Sequence, residues 1–154
     1  MSRLWLFSIA IAMALCAAAL PARAQSMPEE VGRAILIKQT LLTFNDANIS
    51  GDYSVFRALS STPFSDSYTV EELADIFKVF HDQAIDLAAV VEYDPVYSSD
   101  PVINSDGLLM LYGYFDTRPS IVHFELEFFP EEGAWRMISI NVNLAPPDDE
   151  AKAK

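Results

Sequence analysis

Between Leu108 and Leu144 three long segments of alternating apolar and polar residues follow one another with only short turns between them. They run Leu108–Thr117, Ser120–Phe129 and Ala134–Leu144, with turns at Arg118-Pro119 and at Pro130-Glu131-Glu132-Gly133. Alternation of period two is the pattern of strands with one covered face, and turns this short join antiparallel neighbours.

The residues before this meander supply helices. Pro28-Glu29-Glu30 opens the first: proline suits the first turn, and acids suit the positive end of the dipole. Val31, Ala34, Ile37, Leu41, Phe44 and Asn48 then recur at helical spacing as far as Ser50-Gly51-Asp52. A short second helix spans Tyr53 to Leu59, and Ser61-Thr62-Pro63 breaks it. Thr69 and Glu72 form a capping box that starts a third helix ending near His81, with Leu73, Ile76, Phe77 and Phe80 on its inner face. After Ala84 the pattern changes. Leu87 to Tyr93 is short and β-branched, and Asp94 to Gly107 reads as a long loop or an irregular edge strand. Helices first and a strand meander after them predict an α+β fold, three N-terminal helices on one face of an antiparallel sheet.

The first 24 residues have the three parts of a secretory signal. Arg3 supplies the charge, Leu4 to Leu15 is almost wholly apolar, and Pro21 precedes the small-x-small site Ala22-Arg23-Ala24. Cleavage there leaves Gln25 first, then an extension over 25–29, a domain over 30–146 and, rich in proline and acid with no large apolar residue, an expected disordered tail over 147–154. The apolar run is shorter than the ~20 residues an anchor needs, and Leu15 argues against a lipoprotein signal at Cys16. The expected location is periplasmic or secreted. Arg3 and Arg23 depart with the signal, leaving eight basic residues against 22 acidic ones and a formal charge of −14. So acidic a surface repels phosphate backbones and anionic lipids, which argues against nucleic acid and membrane as partners. Cys16, the only cysteine, leaves too, so disulfides, iron–sulfur clusters, thiolate zinc sites and cysteine nucleophiles are excluded.

Phe44-x-x-Ala47-x-x-x-Gly51-Asp52-Tyr53, Phe56 in the short second helix, and Gly133-x-Trp135-Arg136-Met137 resemble the nuclear transport factor 2-like superfamily. The resemblance covers about Glu30 to Pro146. It implies a cone of helices packed against a strongly curved sheet. That superfamily holds isomerases, dehydratases and cyclases beside domains without known activity, so the fold leaves the function open. Many of its members dimerise through the outer sheet face.

Strand register follows from side-chain chemistry. Thr117 opposite Ser120 sets Phe115 by Val122, Gly113 by Phe124 and Leu111 by Leu126. Glu127 opposite Arg136 makes a charge pair across a four-residue turn, and sets Phe128 by Trp135 and Phe124 by Ser139. In this register Leu109, Leu111, Phe115, Val122, Phe124, Leu126, Phe128, Trp135 and Met137 face the helices, with Gly113 at a bend. Ser139 and Asn141 then line the cone with Phe56, Phe115 and Val122, an apolar wall with hydrogen-bonding groups suited to a small apolar ligand. The opposite face carries Met110, Tyr112, Tyr114, His123, Ile138, Ile140 and Val142, a patch of the size that marks an interface. Either the C-terminal tail covers it, the apolar surface is simply tolerated, or a second copy covers it, and pairing into a homodimer is the expectation.

No catalytic residue, metal site or cofactor is expected. His81 reads as a capping or surface residue and His123 as part of the interface. Two histidines with no motif make no zinc site. Asp100, Asn104, Asp106 and Gly107 approach a calcium loop, but Val102 stands where a ligand is needed, so an Asx-rich turn is the reading. Asp116 ends a strand before a turn. Phosphate-loop and G-x-S-x-G signatures are missing. Two function classes follow: an exported non-catalytic domain binding a small ligand or a protein, and a small cofactor-free lyase or isomerase of the ketosteroid isomerase type.

Overall fold

Helix α1 (Glu30–Ser50) is the longest element of the computed structural model, which describes residues 25–147. Its core stripe is Ile37, Leu41, Phe44 and Asn48, all fully buried, as the spacing predicts. The first turn departs from the stripe: Val31 is 72% exposed. Gly51 ends the helix at φ 73°, where its N–H reaches the Ala47 carbonyl at 2.8 Å. Only a residue free of a Cβ adopts that left-handed cap without strain.

Four short helices follow: α2 (Ser54–Leu59), α3 (Thr62–Ser67), α4 (Val70–Ile76) and α5 (Lys78–Asp82). Two features here correct the sequence reading. Ser61-Thr62-Pro63 is the start of α3, since the Ser61 hydroxyl accepts from Phe64 N and Pro63 occupies the first turn. The expected third helix starts with its capping box, Thr69 Oγ1 accepting from Glu72 N and Glu72 Oε2 from Thr69 N. It then breaks at Phe77 into α4 and α5. The break turns Phe77 and Phe80 together onto Phe44, with ring centroids 4.7 and 5.2 Å away, while Ile76 is left exposed. Leu87 to Tyr93 contains a 3-10 helix, Ala88–Glu92.

The sheet is open and antiparallel, with order β1-β3-β4-β5 and β2 also paired to β3. Its strands are β1 (Val96–Tyr97), β2 (Val102–Ile103), β3 (Leu109–Phe115), β4 (Ile121–Glu131) and β5 (Ala134–Ala145). β1 and β2 are the irregular edge within Asp94 to Gly107. The β3–β4 register is the expected one, Phe115 opposite Val122 through Leu109 opposite Phe128. Gly113 has a tighter reason than curvature. A Cβ there would lie 2.2 Å from the Val96 carbonyl oxygen, so β1 can pair with β3 only across a glycine.

The β4–β5 register differs from expectation, and the difference relocates half a strand. The turn takes two residues, Glu132 and Gly133, both with positive φ (51° and 79°), the geometry that matches strand twist. Arg136 therefore pairs with Phe129 and Phe128 with Met137. A bulge then intervenes between Glu127 and Phe128, so that Glu127 pairs with Ser139 and Leu126 with Ile140. The extra residue reverses the facing of everything after it. Ile140, Val142 and Leu144 pack against the core, and Ser139, Asn141 and Asn143 lie on the outer face beside Glu127, Glu125 and His123. Without the bulge three aliphatic side chains would face water and two amides the core. Every other expected inward residue, from Leu109 to Met137, is buried.

Candidate functional site

The bulge undoes the ligand site expected from sequence. Ser139 and Asn141 lie on the outer face, where Asn141 Nδ2 donates to Glu125 Oε2 at 3.1 Å. Phe115 and Val122 are closed into the core at 0% and 3% exposure. Phe56, by contrast, borders an open space inside the fold.

That space is a groove of about 500 Å³ beside α1. One wall is a second stripe of the helix: Gly32, Leu36, Thr40 and Thr43, next to the core stripe. α2 contributes Phe56 and Leu59, with Ser60 just beyond its end, and the β4–β5 hairpin contributes Phe128, Trp135 and Met137. The hairpin is held there by the Ser61 N–H, which donates to the Met137 carbonyl at 2.8 Å, and by Glu131, whose carboxylate accepts from Thr62 N at 2.9 Å. Hydrogen bonds from the Thr62 hydroxyl and N–H hold the Glu131 carboxyl below its ordinary pKa. Gln25 and Pro28 of the segment before α1 also line it. Trp135 Nε1 donates to the Ser26 carbonyl at 3.3 Å and Arg33 Nη1 to the Pro28 carbonyl at 2.8 Å.

The lining is apolar with neutral hydrogen-bonding groups. Thr43 donates back to the Gln39 carbonyl at 2.9 Å and Ser60 to the Phe56 carbonyl at 2.8 Å. Arg136 is the one charged residue on the lining, and no Asp, Glu, His or Tyr is part of it among the described residues. A smaller hollow of about 410 Å³ on the other flank of α1 lies among Val31, Ile35, Lys38, Asp94 and Tyr97. The second stripe of α1 is readable in sequence as Leu36, Thr40 and Thr43 at spacings of four and three. A mixed stripe carries no burial signal until the element across from it is known.

Two expected interface residues move as well. Ile140 and Val142 face the core, and Ile138 sits at the bulge. Met110, Tyr112, Tyr114 and His123 do share the outer face, half-buried except for exposed His123, beside Val96 and Val102 of the edge strands. This face is more polar than expected. Partial burial, then a 2.8 Å hydrogen bond to Glu127, pushes the Tyr112 phenol up to about 12. Tyr114 and His123 rings lie 5.7 Å apart.

Sequence reasoning also missed a buried polar knot at the end of α1. Asn48, fully buried, accepts from the Tyr53 hydroxyl, and its carbonyl lies 2.7 Å from His81 Nδ1. Asn45 Oδ1 accepts from Leu87 N at 2.7 Å, pinning the segment after α5. His81 is thus a tie between helices. Asn104 forms the Asx-rich turn, its side chain accepting from Asp106 N and Leu108 N. Among the described residues no cluster of His, Cys, Asp and Glu is placed to hold a metal ion, and no helix is long and apolar enough to cross a membrane. The signal expected over residues 1–24, and the expected tail from 148 on, lie outside the described residues. No protein-family model, curated protein or solved structure matches the chain.

Proposed function

We propose that this chain is an exported, non-catalytic domain that binds a small apolar ligand in the groove between α1, α2 and the β4–β5 hairpin, on an architecture of the nuclear transport factor 2-like kind. The groove carries the reading. Its volume is that of a small-molecule site, and its walls combine Leu36, Phe56, Trp135 and Met137 with the neutral polar groups of Thr40, Thr43 and Ser60. Binding is preferred to isomerase chemistry because the described lining holds no carboxylate, imidazole or phenol to move a proton. Export rests on the N-terminal charge, apolar run and small-x-small site. The expected product begins at Gln25, and intact-mass measurement of the exported protein decides it.

The binding test is a thermal-shift screen of sterols, apolar amides and apolar carboxylates. At least one class raises the melting temperature of the parent. Thr40→Trp, which fills the groove from α1, loses that response, while Asn141→Leu on the outer face keeps it. A parent stabilised by nothing, or hits that survive Thr40→Trp, would overturn the reading.

A further inference from the structure

β5 is the last strand of the sheet, and among the described residues one of its edges faces no other strand. α3 covers the start of that edge through the Ser61–Met137 bond. From Ser139 to Ala145 the outward backbone groups have no hydrogen-bond partner among the described residues. Pro146 and Pro147 stop the strand and cannot donate. A seven-residue stretch of unpaired edge is a template for another strand, and sheets usually blunt such an edge with lysine, proline or cover. Here those devices act only at the two ends.

The sequence of the stretch says which strand fits. Met137 to Pro147 carries no charge, in a chain whose formal charge is −12. Two copies therefore meet here with less repulsion than anywhere acidic. The pattern is also self-complementary. Antiparallel pairing about a two-fold axis at Val142 sets Asn141 opposite Asn143, Ile140 opposite Leu144, and Val142 opposite itself. Apolar residues meet apolar ones on the core side, and amides meet amides on the outer side. Ile140, Val142 and Leu144, packed against the core but only partly buried, gain cover by the same contact. We infer that the free edge of β5, Ser139 to Ala145, is an interface for a second copy of this chain, joining two sheets into one continuous sheet. The outer sheet face, with Ile140 and Val142 turned away from it, is not needed for this pairing.

Sedimentation velocity on the protein expressed from its full reading frame tests it. The parent forms a dimer in the micromolar range. The double variant Asn141→Lys/Asn143→Lys sets lysine opposite lysine twice across the axis and weakens the dimer at least about tenfold. Glu125 is at hand to pair with the ammonium introduced at position 141, so the fold survives, which an unchanged near-UV circular dichroism spectrum verifies. Ser139→Lys, at the other end of the stretch, is the second variant and acts in the same direction. Tyr114→Lys on the outer face leaves the dimer intact. A monomeric parent overturns the inference, and so does a dimer that survives both edge variants or dissociates only with Tyr114→Lys.

Discussion

At the scale of single residues, the closest constraints sit where the backbone or a polar atom has no slack. Gly113 is one. Alanine there places its Cβ against the Val96 carbonyl, so β1 must leave the sheet or β3 must shift. Gly113→Ala is expected to cost about 1–3 kcal/mol, the range of overpacked sites. Urea unfolding measures the loss, and hydrogen exchange at Tyr97 shows whether β1 detaches. Tyr53 is another. Burial pushes its phenol up to about 12, against 10 for a free tyrosine. The folded chain therefore holds this proton more tightly than the unfolded one. Its contribution is complete below pH 10 and declines as pH rises from 10 toward 12. Tyr112 acts with the same sign. In urea melts at pH 9 and 11, Tyr53→Phe is expected to shrink the pH-dependent loss without abolishing it. At pH 7 the same variant strands the buried Asn48 oxygen, at about 1–3 kcal/mol.

At the scale of elements, the bulge in β5 is the feature with the widest consequences. It lets a strand whose first half points Trp135 and Met137 inward point Ile140, Val142 and Leu144 inward as well. Two neighbouring substitutions therefore behave oppositely. Ile140→Lys places an ammonium among core residues and is expected to lose about 2–4 kcal/mol of stability. Asn141→Lys faces Glu125 in solvent and is expected to stay within about 0.5 kcal/mol of the parent. Equilibrium urea denaturation of the two variants, under conditions where all are monomeric, separates this facing from its reverse. The same bulge explains why the outer face is mixed: Ser139, Asn141 and Asn143 stand beside Glu127, Glu125 and His123. From Ser139 on, β5 adds no large apolar side chain to it.

Across the whole molecule, charge is the dominant long-range term. With 22 acidic and 10 basic residues, self-repulsion opposes both the compact state and any pairing of copies. Salt screens it over a Debye length of ~8–10 Å. Raising sodium chloride from about 20 to about 500 mM, roughly a fivefold drop in that length, is expected to raise the melting temperature and tighten the dimer. Differential scanning calorimetry and sedimentation at both salts measure the two effects. A dimer weakened by salt would mean that ion pairs hold it, which an uncharged edge does not provide.

Much of the fold is legible in the sequence by itself, and what is legible is local. Helix α1, the Thr69–Glu72 capping box, the strand meander and the β3–β4 register rest on neighbours within a turn or across a tight loop, where residue type alone selects the geometry. Nineteen hydrophobic side chains are buried in one core cluster, and the inward strand residues among them up to Met137 follow from alternation. What tertiary structure decided is non-local. Glu127 and Arg136 offered an ion pair worth little at a surface, and a two-residue turn overrode it. One extra residue at Ile138 was then enough to exchange core and solvent along the rest of β5, because strand facing has a period of only two. The groove depended on the same choice. Leu36, Thr40 and Thr43 share a helix face by their spacing, but that mixed stripe became a wall only when the hairpin set Trp135 and Met137 across from it.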